Sequence, residues 1–405
     1  MHIIIIGTHL SALISALMLA DADIDVTIIS TQELNNRYIP HGTLDIIDAP
    51  APLQAIEKLN NGHPYKKAGI NALRRGIDFF NSLIHTEGNL EKTTLFPTAM
   101  GSLRRSSFYS PLMQNGATDR AQNYFLVSPV SFRDFYPGLA AENLINGGFQ
   151  ARSARLQIQA PAGDNALAFS QYLRMPGKAE DLGRLINMRT QPREHVGLPA
   201  ICDNATFERI QKELHHPLFL IPTSSPSLIG MEWARQLIAE CANADIPVWD
   251  NIKIHQIHTN NNAIDAITIK EGQQTHKLEC DGVIYAGGGF DTGALSRTPD
   301  GILTDSLFHL PIYGPDGTST VIDDGDLLNN MYSGTTQSIL SCGLGIDSSM
   351  HVLNENSQPA YTNLFAAGSM VAGASRTTER SSEGISLSTA AKAVESILQI
   401  KETLQ

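Results

Sequence analysis

The pattern of apolar and polar positions is sharpest at the start of the chain. Residues 3–6 are four isoleucines, a β-branched run of strand length. Gly7 breaks the run, and Leu10, Leu13, Ile14, Leu17 and Met18 then recur at helical spacing up to Ala20. Asp21-Ala22-Asp23 turns the chain, and residues 24–29 read as a second buried strand. Strand, glycine turn, helix and strand predict the opening of a doubly wound nucleotide-binding sheet, in which the N–H groups of the helix N-terminus attract phosphate. The places of the Gly-x-Gly-x-x-Gly/Ala fingerprint are filled by Gly7, His9 and Ala12, with Thr8 between the first two. His9 crowds the point where backbone meets a pyrophosphate, and Ser30 stands where Asp or Glu usually meets an adenosine ribose. A plain βαβ packing unit is the other reading of this stretch alone.

Further along, a polar loop over 31–38 leads to Ile39-Pro40-His41-Gly42-Thr43-Leu44-Asp45. Gly42 and Thr43 suit either a close approach of backbone to a flat ligand or a surface turn. Residues 53–86 alternate helical spacing with turns such as Asn61-Gly62-His63-Pro64. From about Leu90 the texture changes to short strands and turns, with strand candidates at 124–127 and 155–158 and helical stretches at 165–172 and 178–185. The pattern thus predicts an α/β chain in three segments: 1–89 and 221–405 as two parts of one nucleotide-binding domain, and 90–220 as an inserted α+β cap. Thr223-Ser224-Ser225-Pro226-Ser227 offers N-caps to a helix through Met231, Trp233, Leu237 and Cys241. Residues 278–286 read as one buried strand running into Gly287, Gly288 and Gly289, which let a loop approach a ligand at the sheet's carboxyl edge. A short apolar strand from Asn363 ends at Gly368-Ser369. Beyond Arg376 and Arg380, Glu383-Gly384-Ile385 opens an apolar helix through Leu387, Ala390, Val394 and Ile397.

Composition narrows the function classes. With 405 residues, two or three domains are expected. A formal net charge of −12 and no long basic run argue against nucleic acid or an anionic lipid surface as partner. No apolar run approaches the ~18–20 residues of a membrane span, and no positive segment precedes residues 3–20, so a cytoplasmic location is expected rather than a span or a secretory leader. Cys202, Cys241, Cys280 and Cys342 form no C-x-x-C pair and the histidines no helical metal pair, so reduced packing thiols and no metal site are expected.

In this order, the Gly7 turn, residues 283–290 and residues 363–369 resemble the fumarate reductase-like branch of two-domain flavoproteins. A narrower resemblance, to the B subunits of anaerobic glycerol-3-phosphate dehydrogenase, spans nearly the whole chain. It rests on His41-Gly42-Thr43-Leu44-Asp45, Pro97-Thr98-Ala99-Met100-Gly101-Ser102-Leu103-Arg104, Pro222-Thr223 with Ser225-Pro226-Ser227-Leu228-Ile229-Gly230, and Asn363-Leu364-Phe365-Ala366-Ala367-Gly368-Ser369.

The resemblance implies a Rossmann-like FAD/NAD(P)-binding flavoprotein fold with an inserted α+β cap. It implies a flavoprotein working beside a larger A subunit bearing FAD and an iron–sulfur C subunit that docks at the membrane. Such a complex oxidises sn-glycerol 3-phosphate to dihydroxyacetone phosphate and passes electrons to quinone, and this chain would then lie at the inner membrane through its partner. The cofactor implied is FMN, with FAD as the alternative; FMN has neither adenosine nor pyrophosphate, which agrees with Ser30 and His9. Flavin contacts are expected from Gly7, Thr8, His9, Ala12, Ser30, Gly42, Thr43, Gly287, Gly288, Gly289, Gly368, Ser369, Gly384 and Ile385. The last pair would place a helix N-terminus at the ring's N1–C2=O edge. His41 is the candidate base, and Arg104 and Arg376 are candidate anion contacts. Two other functions stay open: a non-catalytic assembly protein with a vestigial nucleotide pocket, and an independent fumarate reductase-like dehydrogenase.

Overall fold

The computed structural model describes residues 1–31, 40–118, 122–223, 227–321, 327 and 337–404. The isoleucine run forms β1 (His2–Ile6), followed by α1 (Leu10–Asp21) and β2 (Asp25–Ile29). Next come β3 (Thr43–Leu44), α2 (Pro52–Glu57), α3 (Pro64–Ala68), α4 (Ile70–Leu83) and β4 (Glu87–Gly88). A hairpin of β5 (Thr94–Pro97) and β6 (Leu103–Ser106) leads to β7 (Phe108–Tyr109). The chain then runs through β8 (Asn123–Pro129), α5 (Pro137–Asn146), β9 (Gln150–Leu156), α6 (Ala166–Arg174), α7 (Lys178–Asn187), β10 (Glu194–Pro199), α8 (Asn204–Lys212) and β11 (Leu218–Ile221). It returns through α9 (Leu228–Asn243), β12 (Val248–Trp249), β13 (Lys253–Asn260), β14 (Ala263–Glu271), β15 (Gln274–Glu279) and β16 (Gly282–Tyr285), and closes with the strand Leu364–Ala366 and the helix Ser382–Leu404.

Five parallel strands make the central sheet, in the order β12-β2-β1-β16 and then Leu364–Ala366. β1 is third of the five, with Ile5 opposite Ile28 on one side and Ile284 on the other. Both faces of a parallel sheet are covered, which is why β1 is apolar at every position from Ile3 to Ile6 rather than alternating. α1 and the closing helix pack together, and α4 packs on the closing helix.

The inserted segment has its own four-stranded sheet, order β11-β10-β8-β9, with every pair parallel. Parallel neighbours need long crossovers, supplied by α5 between β8 and β9, by α6 and α7 between β9 and β10, and by α8 between β10 and β11. β7 pairs antiparallel with both β3 and β4, so the chain up to residue 109 is tied to the first segment.

The single strand expected over 278–286 is two strands in different sheets. β15 is antiparallel to β14, whereas β16 runs parallel to β1. The chain changes sheets at Cys280 and Asp281, whose N–H groups donate to Asp265 O at 2.9 Å and His2 O at 2.8 Å. The four cysteines are free and buried, and burial pushes the Cys241 thiol up to about 12, so these are inert packing groups. Among the described residues, no helix is long and apolar enough to cross a membrane, and no metal-binding cluster of His, Cys, Asp or Glu is present. The expected loop over 32–38 and the cap candidates Ser224 and Ser225 lie outside the described residues. Ser227 caps α9 by accepting from the Gly230 N–H.

Candidate functional site

The turn after β1 is built around a glycine that nothing else can replace. Gly7 has φ +128°, and a β-carbon there would lie 2.2 Å from Ala286 O, because the ends of β1 and β16 converge at this point. α1 follows with His9 at its N-cap in extended backbone, and no side chain caps it among the described residues. A cavity of about 330 Å³ opens at the carboxyl ends of β1, β2 and β16, with Gly7, Thr8, His9, Ser30, Lys253 and Gly287 in its lining. This is the crevice position at which open α/β sheets hold ligands. The helix N-terminus and the Lys253 ammonium both favour an anionic group there. Five of the sequence-predicted residues therefore meet at one place. Ala12 is fully buried and serves helix–sheet packing. Gly288, with φ +103°, turns the loop over Thr292 Oγ1, 2.4 Å from where its β-carbon would be.

A second cavity, of about 270 Å³, lies between the segment around His41 and the β5–β6 hairpin. Thr43, Arg104 and Thr223 line it together with His41. Both His41 (φ +65°) and Gly42 (φ +67°) have left-handed backbone. A β-carbon on Gly42 would lie 2.3 Å from Ile229 Cγ2, so the glycine lets the segment press on α9. Burial, and then the Arg104 charge, hold the His41 imidazole below its ordinary pKa against the opposing pull of Asp45 and a hydrogen bond with the Thr223 main chain. His41 is thus neutral at pH 7 and able to accept a proton. Arg104 is ion-paired to Asp45, which also accepts from Ser106 Oγ at 3.4 Å. Arg104 Nε and Thr43 Oγ1 are buried and have no partner among the described residues.

Beneath this cavity lies a layer of acids. Glu383 sits in the first turn of the closing helix, and burial, reinforced by Asp45, pushes its carboxyl up to about 8. The Asp45 N–H donates to Glu383 Oε2 at 3.3 Å, and the Gly384 N–H donates to Asp45 O at 3.1 Å. Tyr65 Oη donates to Ile46 O at 2.6 Å, and burial raises its hydroxyl well above the usual phenol range.

The helix expected to open at Ile385 begins at Ser382 instead. A β-carbon on Gly384 would lie 2.0 Å from Tyr65 Oη, and Ile385 is fully buried. Gly384 therefore makes room for Tyr65, and Ile385 is a core residue. Gly368 (φ +77°) similarly lets the end of the last strand meet Ser11 Oγ, 2.3 Å from where its β-carbon would be, with partly exposed Ser369 next in line. Ser369 O lies 3.6 Å from the ideal β-carbon of Gly289. The Arg376 guanidinium donates to Val371 O at 3.2 Å and Leu340 O at 3.5 Å, which ties two loops together, and burial lowers its pKa.

Sequence reasoning missed Tyr65, Glu383 and Lys253 as site residues. Asp45 stood in a motif, but its ion pair with Arg104 spans 59 residues and carries no local signal.

The FAD binding domain family matches residues 2–387. The chain belongs to that family. It is 23% identical to the probable B subunit of anaerobic glycerol-3-phosphate dehydrogenase from Halobacterium salinarum, over 96% of this chain and 95% of that protein. It is also 23% identical to the B subunit of anaerobic glycerol-3-phosphate dehydrogenase from Aliivibrio fischeri, over 98% of this chain and 95% of that protein. A solved 3-ketosteroid delta1-dehydrogenase from Sterolibacterium denitrificans superposes with a TM-score of 0.46 at 12% identity, over 98% of this chain and 99% of its own. The flavoprotein family expected from the sequence is thus the one observed. The expected preference for FMN is not supported: the family is one of FAD binding domains, and His9 and Ser30 line a cavity instead of closing it.

Proposed function

We propose that this member of the FAD binding domain family is the flavoprotein B-type subunit of a glycerol-3-phosphate dehydrogenase and that its cofactor is FAD. The observation that carries the reading is the N-terminus of α1, opening at Gly7 onto a cavity of about 330 Å³ with Ser30 and Lys253 in its wall. The main chain at Gly7, Thr8 and His9 would hold the diphosphate with help from Lys253, and Ser30 would offer its hydroxyl where other members use a carboxylate. FAD supplies the electron and hydride chemistry. His41, held neutral, is a residue beside the second cavity able to take up a proton.

In this reading the chain takes part in oxidising sn-glycerol 3-phosphate to dihydroxyacetone phosphate, and electrons pass through partner subunits bearing FAD and iron–sulfur centres to quinone. The full-length likeness to proteins named as B subunits supports it. The test is glycerol-3-phosphate-dependent quinone reduction. The chain alone is expected to give little turnover, and addition of the partner subunits is expected to restore it. Full turnover by the lone chain, or none with the partners present, contradicts the assignment.

A further inference from the structure

The cavity beside His41 has a lining poorly matched to a phosphate ester. Phe96, Pro97, Ala99, Met100, Met113 and Pro222 give its wall a mainly apolar surface. Arg104 is the sole Lys or Arg among the described lining residues, and its charge is already met by Asp45. Asp134 adds a carboxylate to the wall, and His41 is neutral at pH 7. Arg380, whose charge also reaches His41, is ion-paired to Asp48 at 3.5 Å. A phosphate monoester brings about two negative charges at neutral pH and needs uncommitted cationic donors to leave water. The described residues supply only the Arg104 Nε–H, on a guanidinium whose charge Asp45 already meets.

The polar groups that are uncommitted are different in kind. Thr43 is 2% exposed, and its hydroxyl has no partner among the described residues; the Arg104 Nε–H, in the same lining, is buried and also has none. By contrast, Ser106 Oγ donates to Phe108 O at 2.8 Å, and Thr98 Oγ1 is bonded to Ser102 Oγ at 2.8 Å. Two buried groups able to donate, set against an apolar wall, match a ligand with one acceptor oxygen on an apolar body. Met100 is 57% exposed, so the same apolar character continues to the surface.

We propose that this cavity binds a neutral, largely apolar molecule bearing a carbonyl oxygen, with the Thr43 hydroxyl and Arg104 as donors to that oxygen. The inference goes beyond the dehydrogenase reading: it concerns what this chain binds beside His41 and requires no turnover.

The test is calorimetric titration of the flavin-loaded chain with 1-tetralone, a neutral aryl ketone, and separately with glycerol 3-phosphate. 1-Tetralone is expected to bind at least tenfold more tightly than the phosphate ester. Ala99→Phe, a change in a partly exposed turn that fills the cavity, is expected to weaken 1-tetralone at least tenfold with flavin content unchanged. Met100→Asp, on an exposed side chain, is expected to weaken it at least threefold and serves if Ala99→Phe does not fold. Equal or tighter binding of glycerol 3-phosphate overturns the proposal. So does 1-tetralone failing to bind, or binding that neither substitution weakens. Loss of complex-dependent quinone reduction, measured separately, bears on the dehydrogenase reading and not on this one.

Discussion

Glu383→Gln is the most informative single change to the acid layer. Glu383 shares the interior with Asp45, and its carboxyl is pushed from 4.5 up to about 8, chiefly by burial. The folded chain therefore holds this proton more tightly than the unfolded chain does. The associated stability is fully present below about pH 4.5 and is lost as pH rises through about 8. Linkage over pH 5 to pH 8 makes that loss roughly 3–4 kcal/mol. At about 2.1 cal/mol/K of unfolding entropy per residue, a chain of this size should lose roughly 4 °C in Tm over that range from this group alone. Glutamine keeps an acceptor oxygen for the Asp45 N–H and has no proton to lose. Thermal unfolding of both proteins at pH 5, 6, 7 and 8 should show the variant's Tm falling less than the wild type's. The difference between the two curves reports Glu383 together with Asp45, whose charge it faces; titrations away from this layer cancel. Parallel curves would show that Glu383 is charged in the folded chain and would refute the account of the layer.

Three further changes probe the glycine turns and the ion pair. Gly7→Ala sets a β-carbon 2.2 Å from Ala286 O at a positive φ, a strain of about 1–3 kcal/mol or more. Flavin absorbance per chain should fall at least twofold, while Gly272→Asn, at an open turn position, should keep it. Gly384→Ala collides with Tyr65 Oη and should lower Tm with or without flavin bound, and adding Tyr65→Phe should recover part of the loss. Arg104→Met strands buried Asp45 and should cost about 3–5 kcal/mol in denaturant unfolding, much of it recovered by adding Asp45→Leu.

The parts of this fold legible in the sequence are those written in local patterns. Four consecutive isoleucines can only be satisfied between two other strands, and Gly7 marks the turn because the backbone there needs a positive φ and leaves no space for a β-carbon. Two of the inserted helices, α6 and α7, are visible in their spacing, whereas α5 and α8 are not. The pairing of β8 with β10 is not visible either, since it joins residues about 70 apart. The cavity lining was legible where one turn builds it, at Gly7, Thr8 and His9, and the packing was not legible where distant segments meet. Gly384 looks the same in sequence whether it yields space to a ring or to Tyr65, and only packing separates the two. Arg376 looked available because a sequence does not reveal which carbonyls a guanidinium reaches.

The central claim is that the Gly7 cradle and the cavity at Ser30 hold FAD. Mass spectrometry of the cofactor released from the purified chain, calibrated against protein concentration, tests it most directly. The account predicts FAD at one molecule per chain. FMN in its place, or a chain that carries no flavin and takes up none when reconstituted with FAD, would contradict it.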